Sequence, residues 1–141
     1  METNARKAIN VVAGLVFKAD RLLVCQRHEN SAFALKWEFP GGKVESGESD
    51  AAALRRELAE ELGIVVQGMR PIFQDQHGYP DGPEVSLHFF KILAYDGEPK
   101  NLVFQRIEWV ELSQLEGFDF LEGDRRLISK LTSIDGAAML E

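Results

Sequence analysis

Apolar and polar residues follow two kinds of pattern along the chain, one typical of strands and one typical of a helix. Residues 8–17 and 21–27 are apolar runs separated by Lys18-Ala19-Asp20, which predicts two strands joined in a hairpin. Residues 37–39 are briefly extended, and Pro40-Gly41-Gly42 then ends the run. Similar runs predict strands at residues 64–66, 69–76, 85–95 and 102–110, with a loop or hairpin tip at 77–84.

The clearest helical pattern covers residues 50–62, where Leu54, Leu58 and Leu62 recur every four residues and predict one buried face. Ser49 precedes this stretch as a predicted N-cap, and Gly63 follows it as the predicted end. The C-terminal expectations are a helical turn capped by Ser113, a closing helix over residues 123–134 with Leu127, Ile128 and Leu131 inward, and a disordered tail from Asp135.

The order of these elements indicates the fold class. Strands outnumber helices and do not alternate strictly with them, so we expect a mixed sheet with helices on its faces. The 141 residues fit one domain, residues 1–141, of the α+β class.

Composition and charge restrict the classes of function. The net charge of −7 argues against broad binding to a nucleic-acid polymer. Cys25 lies in an apolar run and predicts a buried thiol in a reducing cytoplasm. No stretch approaches the ~20 apolar residues that span a membrane. The N-terminal METNARKAIN lacks the apolar core of a secretion signal, so we expect a cytoplasmic protein.

Three glutamates of the predicted helix point to metal chemistry. Glu57, Glu60 and Glu61 are spaced so that a helix places them on one face. Their carboxylates repel one another unless solvent or a cation compensates, and hard oxygen ligands suit Mg²⁺ or Mn²⁺. Such a run alone is more often a solvated helix face, but here a glycine-rich turn and Glu48 precede it.

Residues 42–64, GKVESGESDAAALRRELAEELGI, resemble the signature of the Nudix family, the Nudix box. That signature is a glycine, five residues, a glutamate, seven residues, Arg-Glu, an aliphatic residue, any residue, Glu-Glu, any residue, a glycine and an aliphatic residue. The chain matches each fixed position: Gly42, Glu48, Arg56, Glu57, Leu58, Glu60, Glu61, Gly63 and Ile64.

The resemblance implies an α/β/α sandwich with a mixed sheet, in which the box forms a loop-helix-loop. It implies catalytic use of the box residues Glu48, Arg56, Glu57, Glu60 and Glu61. The last three glutamates would bind Mg²⁺ or Mn²⁺ together with the Gly41 carbonyl. Arg56 would pair with a box glutamate to hold the loop on the helix, and Glu48 would support that loop. The general base would be Glu57 or a glutamate outside the box.

The flanks of the box, including KWEFPGGK at 36–43, resemble the MutT-like branch of the family. This resemblance implies that Arg27, Phe39 and Asp124 bind the nucleotide, with Asp124 reading the base where the branch has an asparagine. Lys43 follows the glycines and could reach a phosphate. Tyr79, like Trp37 and Phe104, could stack on a base, although most aromatic residues in such a chain belong to the core. Plainer readings remain open: core packing for Phe39, a solvated charge for Arg27 and Lys43, and a helix cap for Asp124.

The implied reaction is metal-dependent hydrolysis of a nucleoside triphosphate, 8-oxo-dGTP or another (d)NTP, to the monophosphate and pyrophosphate. The alternatives are a dinucleoside polyphosphate or ADP-ribose as substrate, or a silent nucleotide-binding module. The fourth metal carboxylate of the branch falls on Val103 in this chain, with Glu98 or Glu108 as possible substitutes. We expect a monomer or a homodimer.

Overall fold

The computed structural model describes residues 8–141, and the expectation about a secretion signal falls largely on the first seven residues, outside that range. The strands are β1 (Ala8–Leu15), β2 (Phe17–Lys18), β3 (Arg21–Gln26), β4 (Trp37–Glu38), β5 (Gly41–Lys43), β6 (Val65–Gly78), β7 (Glu84–Asp96) and β8 (Arg106–Val110). The helices are α1 (Asp50–Leu62), α2 (Arg125–Leu131) and α3 (Gly136–Leu140), with 3₁₀ turns at Leu112–Gly117 and Glu122–Asp124. Within residues 8–141, no helix is long and apolar enough to span a membrane.

The strands form two sheets. The first has the order β5-β1-β7-β6 and is mixed, because β1 runs parallel to β7 while the other pairs are antiparallel. In the second sheet, β2, β4 and β8 all pair with β3 in antiparallel register. The sequence predicts one mixed sheet, and the structure adds the antiparallel second sheet to it.

Side chains of β1 alternate between two hydrophobic clusters, as successive residues of a strand face opposite sides. Val12 and Val16, the latter just past the strand end, are buried in the cluster that contains the apolar face of α1. Ala13 and Leu15 are buried in the cluster that contains the apolar face of α2. Helices therefore pack on opposite sides of the sheet, which confirms the predicted α/β/α arrangement.

The predicted hairpin of residues 8–17 and 21–27 is only partly correct. Phe17 and Lys18 pair with Leu22 and Arg21, so the chain does turn back at the predicted place. However, β1 pairs with β5 and β7 and belongs to the other sheet. The chain crosses between sheets at Val16, a change of partner that local residue patterns do not encode.

The predicted strands at residues 64–66 and 69–76 are one strand, β6. The register shifts around Gly68 and again at Pro71/Phe73, so β-bulges absorb these irregular residues without ending the strand. Strand β8 is shorter than the predicted 102–110. Residues 102–105 form a turn, in which the Asn101 side chain accepts a hydrogen bond from the Phe104 N–H at 2.7 Å.

The C-terminal segment departs from the predictions in three ways. The closing helix is α2, shorter than residues 123–134, although its residues Leu127, Ile128 and Leu131 are buried as predicted. The preceding 3₁₀ turn begins after Glu111, whose N–H donates to the Gln114 side chain at 2.8 Å, so Ser113 is not its cap.

The tail from Asp135 is ordered as α3, contrary to the prediction of disorder. Arg70 and Lys91 are opposite each other on β6 and β7, and both donate to the Leu140 carbonyl, at 3.0 and 2.7 Å. These distant cations compensate for the weak helix-forming tendency of a five-residue segment.

Candidate active site

Helix α1 has the predicted bounds because both of its ends are capped locally. The Ser49 hydroxyl accepts a hydrogen bond from the Ala52 N–H at 3.1 Å. Gly63 adopts a left-handed conformation with φ of 69°, and its N–H donates to the Ala59 carbonyl at 3.0 Å. The buried face contains Leu54, Leu58 and Leu62 as predicted, so the glutamates lie away from the core.

The Glu57 and Glu61 side chains lie close together on the other side of α1, near enough for the Glu57 carboxyl to raise the pKa of Glu61. The Glu61 carboxylate also accepts a hydrogen bond from the Gly41 N–H at 3.1 Å. Burial raises the pKa of Glu61, and the Glu57 carboxyl and the charge of Glu38 raise it further. The two carboxyl groups repel each other when both are ionised, a repulsion that a bound cation would remove.

Glu60 is positioned differently from its two neighbours. Its side chain is 58% exposed, whereas that of Glu57 is 16% exposed. The Glu60 carboxylate lies 3.6 Å from Arg56. The predicted set of three metal-binding glutamates therefore consists of an acidic pair, Glu57 and Glu61, and a more solvated third member, Glu60.

Arg56 joins the loop before α1 to the acidic face. Its guanidinium donates to both Glu48 oxygens, Nε to Oε2 at 2.7 Å and Nη2 to Oε1 at 2.9 Å. It also donates to Glu57 at 2.7 Å and to the Lys43 carbonyl at 3.1 Å. The hydrogen bonds from Arg56 lower the pKa of Glu48 to about 2, so this carboxylate remains ionised.

The backbone of β5 approaches the acidic pair at Gly42. A Cβ atom at this position would lie 2.5 Å from the Glu57 Cδ, so any larger residue would displace the carboxylate. At Gly41, a Cβ atom would lie 2.7 Å from the Ala13 Cα and would overlap the Val12 carbonyl. The two glycines thus bring backbone against the carboxylates on one side and against β1 on the other.

The donor set suits a hard divalent cation. Among residues 8–141, no three acidic, histidine or cysteine side chains are already closed around one position. The contact between Glu57 and Glu61 nevertheless presents clustered carboxylate oxygens, the ligand type that Mg²⁺ and Mn²⁺ prefer. Bound there, a cation would remove the repulsion between the two groups.

A cavity of about 430 Å³ opens beside the acidic pair and is bounded by residues from both sheets. This volume lies within the usual range for small-molecule sites. The cavity brings together the five residues predicted to bind substrate with Gly41, Glu61 and a further carboxylate, Glu38. The residues concerned are Arg27, Phe39, Lys43, Tyr79 and Asp124.

Asp124 is a buried carboxyl group that faces this cavity. The residue is 6% exposed, and its Oδ2 has no hydrogen-bond partner within the described range 8–141. Burial raises its pKa well above the usual value, and the charge of Glu38 adds to this effect against the opposing hydrogen bond from the Phe39 N–H. Asp124 occupies the N-cap position of α2 without a side-chain cap hydrogen bond, so the plainer reading as a helix cap is wrong.

Arg27 and Glu38 form an ion pair on the cavity wall. Arg27 Nη1 lies 3.2 and 3.3 Å from the two Glu38 oxygens, and Arg27 Nε donates to the Ala32 carbonyl at 2.7 Å. Burial raises the pKa of Glu38, while Arg27 opposes that rise. Arg27 is therefore engaged and not merely solvated, with its side chain 27% exposed.

Glu38 is the functional candidate that the sequence prediction missed. The sequence did contain a signal for it, since Glu38 is a single carboxylate between two aromatic residues, Trp37 and Phe39, immediately before the glycine turn. Both aromatic neighbours are buried, at 7% and 3% exposure, and Phe39 packs on the rings of Phe89 and Phe120. Phe39 therefore packs in the core and also lines the cavity, and its contact with a nucleotide stays a prediction.

Glu98 and Glu108, the possible substitutes for a fourth metal-binding carboxylate, form ion pairs away from the acidic residues. Glu98 pairs with Lys18 at 2.5 Å, and Glu108 pairs with Arg106. Neither lines the cavities that contain Glu61. Val103 does line a second, smaller cavity together with Glu38 and Glu61. The position aligned with the fourth ligand therefore lies beside the acidic residues but carries an apolar side chain.

The arrangement of the box and its flanks agrees with comparisons to known proteins. The family model described as the NUDIX domain matches residues 7–131. The chain belongs to the Nudix family, which confirms the resemblance found in the sequence.

Two curated relatives carry different substrates in their names. The 8-oxo-dGTP diphosphatase of Haemophilus influenzae is 36% identical over 127 residues, covering 89% of this chain and 93% of that protein. The CTP pyrophosphohydrolase of Escherichia coli is 30% identical over 131 residues, covering 93% and 96%. Among solved structures, the E. coli ORF135 protein superposes with a TM-score of 0.82 at 30% identity, covering 94% of each chain.

Proposed function

We propose that this protein is a metal-dependent hydrolase that converts an oxidised purine nucleoside triphosphate, with 8-oxo-dGTP as the preferred example, to the monophosphate and pyrophosphate. The observation that carries the proposal is the buried Asp124 carboxyl, whose Oδ2 has no partner within residues 8–141 and which lines a cavity that also contains Glu61. A ligand that spans this cavity would present a polar base edge to Asp124 and phosphates to the acidic pair. The relatives named 8-oxo-dGTP diphosphatase support the same reaction.

The residues of the box would divide the work on the phosphates. Glu57 and Glu61, with Glu60, would hold Mg²⁺ or Mn²⁺, which supplies charge neutralisation and activation of water. Arg56 orients the Glu57 carboxylate through their 2.7 Å contact. Lys43 is exposed at the cavity rim and would meet a phosphate as a mobile point charge. Glu57 would accept a proton from the attacking water.

The base side would be recognised by a carboxyl edge and an aromatic wall. Guanine presents two donors, N1–H and the 2-amino group, and one carboxylate can accept from both. Asp124 has a free oxygen for this purpose and is held in place by the Phe39 N–H. The ion pair with Arg27 would orient Glu38 toward the same part of the cavity.

A second substrate class, the pyrimidine CTP, is favoured by a specific observation. Asp124 and Glu38 both have raised pKa values, so either group is more easily protonated than an exposed carboxylate. A protonated carboxyl donates through its O–H and accepts through its carbonyl, which matches N3 and the 4-amino group of cytosine. The relative named CTP pyrophosphohydrolase supports this alternative.

The test is a panel of nucleotides with purified protein, Mg²⁺ and a coupled pyrophosphatase. We expect the highest kcat/KM with 8-oxo-dGTP, release of pyrophosphate in one step and no activity in EDTA. The panel includes CTP, dGTP, ADP-ribose and a dinucleoside polyphosphate. A preference for ADP-ribose, full activity in EDTA or no turnover of any substrate would contradict the proposal.

The same proposal covers the setting of the enzyme. A protein that acts on free nucleoside triphosphates would work on the nucleotide pool, so we expect it in the cytoplasm. The partner is then a small molecule, and whether the enzyme acts as a monomer or a homodimer stays a prediction for measurement of its mass in solution.

A further inference from the structure

Phe33 has two properties that core packing does not explain. Its side chain is 55% exposed, and its backbone is left-handed, with φ of 54°. A bulky residue with positive φ is an uncommon and strained conformation. Strain of this kind persists where the surrounding structure enforces it, often at ligand sites.

The loop that carries Phe33 is tied down at several points. The Arg27 N–H donates to the Lys36 carbonyl at 2.8 Å, and the Leu35 N–H donates to the Arg27 carbonyl at 3.2 Å. The Arg27 guanidinium holds the Ala32 carbonyl at 2.7 Å while it pairs with Glu38. The position of the Phe33 ring is therefore set by the same arginine that lines the cavity.

Phe33 meets an aromatic partner from another loop at the cavity. Its ring centroid lies 5.8 Å from that of Tyr79, with the planes inclined by 38°. The His77 ring packs edge-to-face on the Tyr79 ring, with 4.5 Å between the ring centroids. Both Phe33 and Tyr79 line the cavity that contains Asp124. Two flat apolar surfaces thus lie beside the group proposed to meet the base edge.

We propose that Phe33 is a base-stacking residue. The nucleobase would enter beneath the Phe33–Tyr79 pair and lie with one face against the Phe33 ring while Asp124 meets its edge. Stacking on an aromatic ring accepts any base, since every base has a π-face. Phe33 would supply affinity for nucleobases as a class, whereas Asp124 discriminates among them. This inference rests on the proposed function, because it assumes a nucleotide ligand.

The experiment measures binding without hydrolysis. The probe is 2-aminopurine deoxyribonucleoside monophosphate, which has no phosphoanhydride bond and whose fluorescence is quenched when the base stacks. Added with Mg²⁺ to the wild-type protein, it should bind with quenching. Phe33→Ala should lose the quenching and weaken binding about 10-fold, within the range for a lost aromatic–base stack. Phe33→Tyr keeps the ring and should retain both.

Leu35→Ala is the matched control. Leu35 lies in the same loop, has φ of 64° and is 45% exposed, but it does not line the cavity. Its variant should bind and quench the probe like the wild type, and melting curves for all variants show that the fold is retained. Equal losses in Leu35→Ala and Phe33→Ala would overturn the stacking role, as would unchanged quenching in Phe33→Ala or none in the wild type.

The binding result is separable from the reaction. A wild-type protein that quenches the probe through Phe33 but hydrolyses no triphosphate would contradict the proposed function and still support stacking. An active enzyme whose probe quenching is insensitive to Phe33→Ala would support the proposed function and overturn this inference.

Discussion

The Arg56 guanidinium donates two hydrogen bonds to the Glu48 carboxylate, at 2.7 and 2.9 Å. This ion pair spans the junction between the glycine-rich loop and helix α1. The same guanidinium contacts Glu57 at 2.7 Å. Bidentate pairs of this kind impose geometry as well as attraction. The loop and the Glu57 carboxylate are therefore positioned by one side chain.

The pair between Arg56 and Glu48 should make stability depend on acid pH. The folded protein lowers the pKa of Glu48 from 4.5 to about 2. Its contribution to the free energy of unfolding is thus complete above 4.5 and disappears as the pH falls through about 2. Glu48→Gln should be less stable than the wild type near neutral pH, with the difference shrinking as acid is added. Urea unfolding followed by circular dichroism measures it.

Glu45→Gln is the control for this experiment. Glu45 lies 3.8 Å from Arg56, and its side chain is 66% exposed, so its removal should change stability little at any pH. A difference between Glu48→Gln and wild type that stays constant down to the lowest pH would show that the pair does not act as described.

Mg²⁺ should stabilise the folded protein, because a ligand that binds only the folded state raises its melting temperature. Without metal, the raised pKa of Glu61 means that stability should increase as the pH falls from that raised value toward 4.5, since protonation relieves the buried charge. Glu61→Gln should stabilise the metal-free protein and blunt the response to Mg²⁺. Differential scanning fluorimetry with and without Mg²⁺ measures both effects.

Glu60→Gln separates the chemical role from the stability effect. The Glu60 side chain is 58% exposed, so we expect little change in metal-free stability. If Glu60 contributes to metal binding, kcat should fall about 10²-fold, the scale for a lost electrostatic stabiliser. Glutamine variants of Glu57, Glu60 and Glu61 that all kept full activity and a normal response to Mg²⁺ would rule out a metal role for the cluster.

Substitutions of Asp124 should affect stability and base recognition differently. The Asp124→Asn variant replaces a buried carboxyl, whose charged form burial disfavours, by a neutral amide of the same size. The melting temperature should therefore hold or rise. Asp124→Ala should lose roughly 10- to 150-fold in kcat/KM for 8-oxo-dGTP, the kinetic equivalent of a charge-assisted hydrogen bond.

Pyrimidine triphosphates provide the comparison for Asp124. The loss in kcat/KM caused by Asp124→Ala should be smaller for these substrates, with the dependence on metal unchanged. An equal loss on every nucleotide, accompanied by a lower melting temperature, would instead assign Asp124 a purely structural role.

The adjacent glycines should respond differently to alanine. Gly42→Ala places a methyl group against the end of the Glu57 side chain, so we expect a folded protein with weakened metal response and lower kcat. Gly41→Ala places it against the backbone of Val12 and Ala13, which cannot yield without disturbing β1 and β5. Melting curves should show the larger loss for Gly41→Ala. The opposite order would mean that the carboxylate, not the strand, is the rigid neighbour.

Local signals were sufficient to predict α1. Ser49 and Gly63 cap it by hydrogen bonds within a few residues, so its bounds follow from the sequence alone. The parallel pairing of β1 with β7 could not be predicted in this way, because it joins residues 76 positions apart, such as Ala8 and Glu84. The prediction of a disordered tail was wrong for the same reason, since the cations that hold α3 come from β6 and β7.

Part of the candidate site could likewise be predicted from the sequence, and part could not. The box glutamates and Arg56 belong to one short motif, so their proximity is encoded by helical spacing. The importance of Glu38 depends on burial against Arg27, and that of Phe33 depends on backbone strain and a neighbouring loop. Such properties arise only after folding. The single unsatisfied oxygen of Asp124 is likewise visible only in three dimensions.

The residues proposed to meet the base and those proposed to hold the metal beside the phosphates come from separate segments of the chain. Phe33, Tyr79 and Asp124 lie in loops and at a helix start, whereas the acidic pair lies on α1, which is capped at both ends. If these roles hold, point mutations in the first set should change selectivity while reactivity is retained. A combinatorial library confined to positions 33, 79 and 124 should yield enzymes with new nucleobase preferences from a common catalytic scaffold.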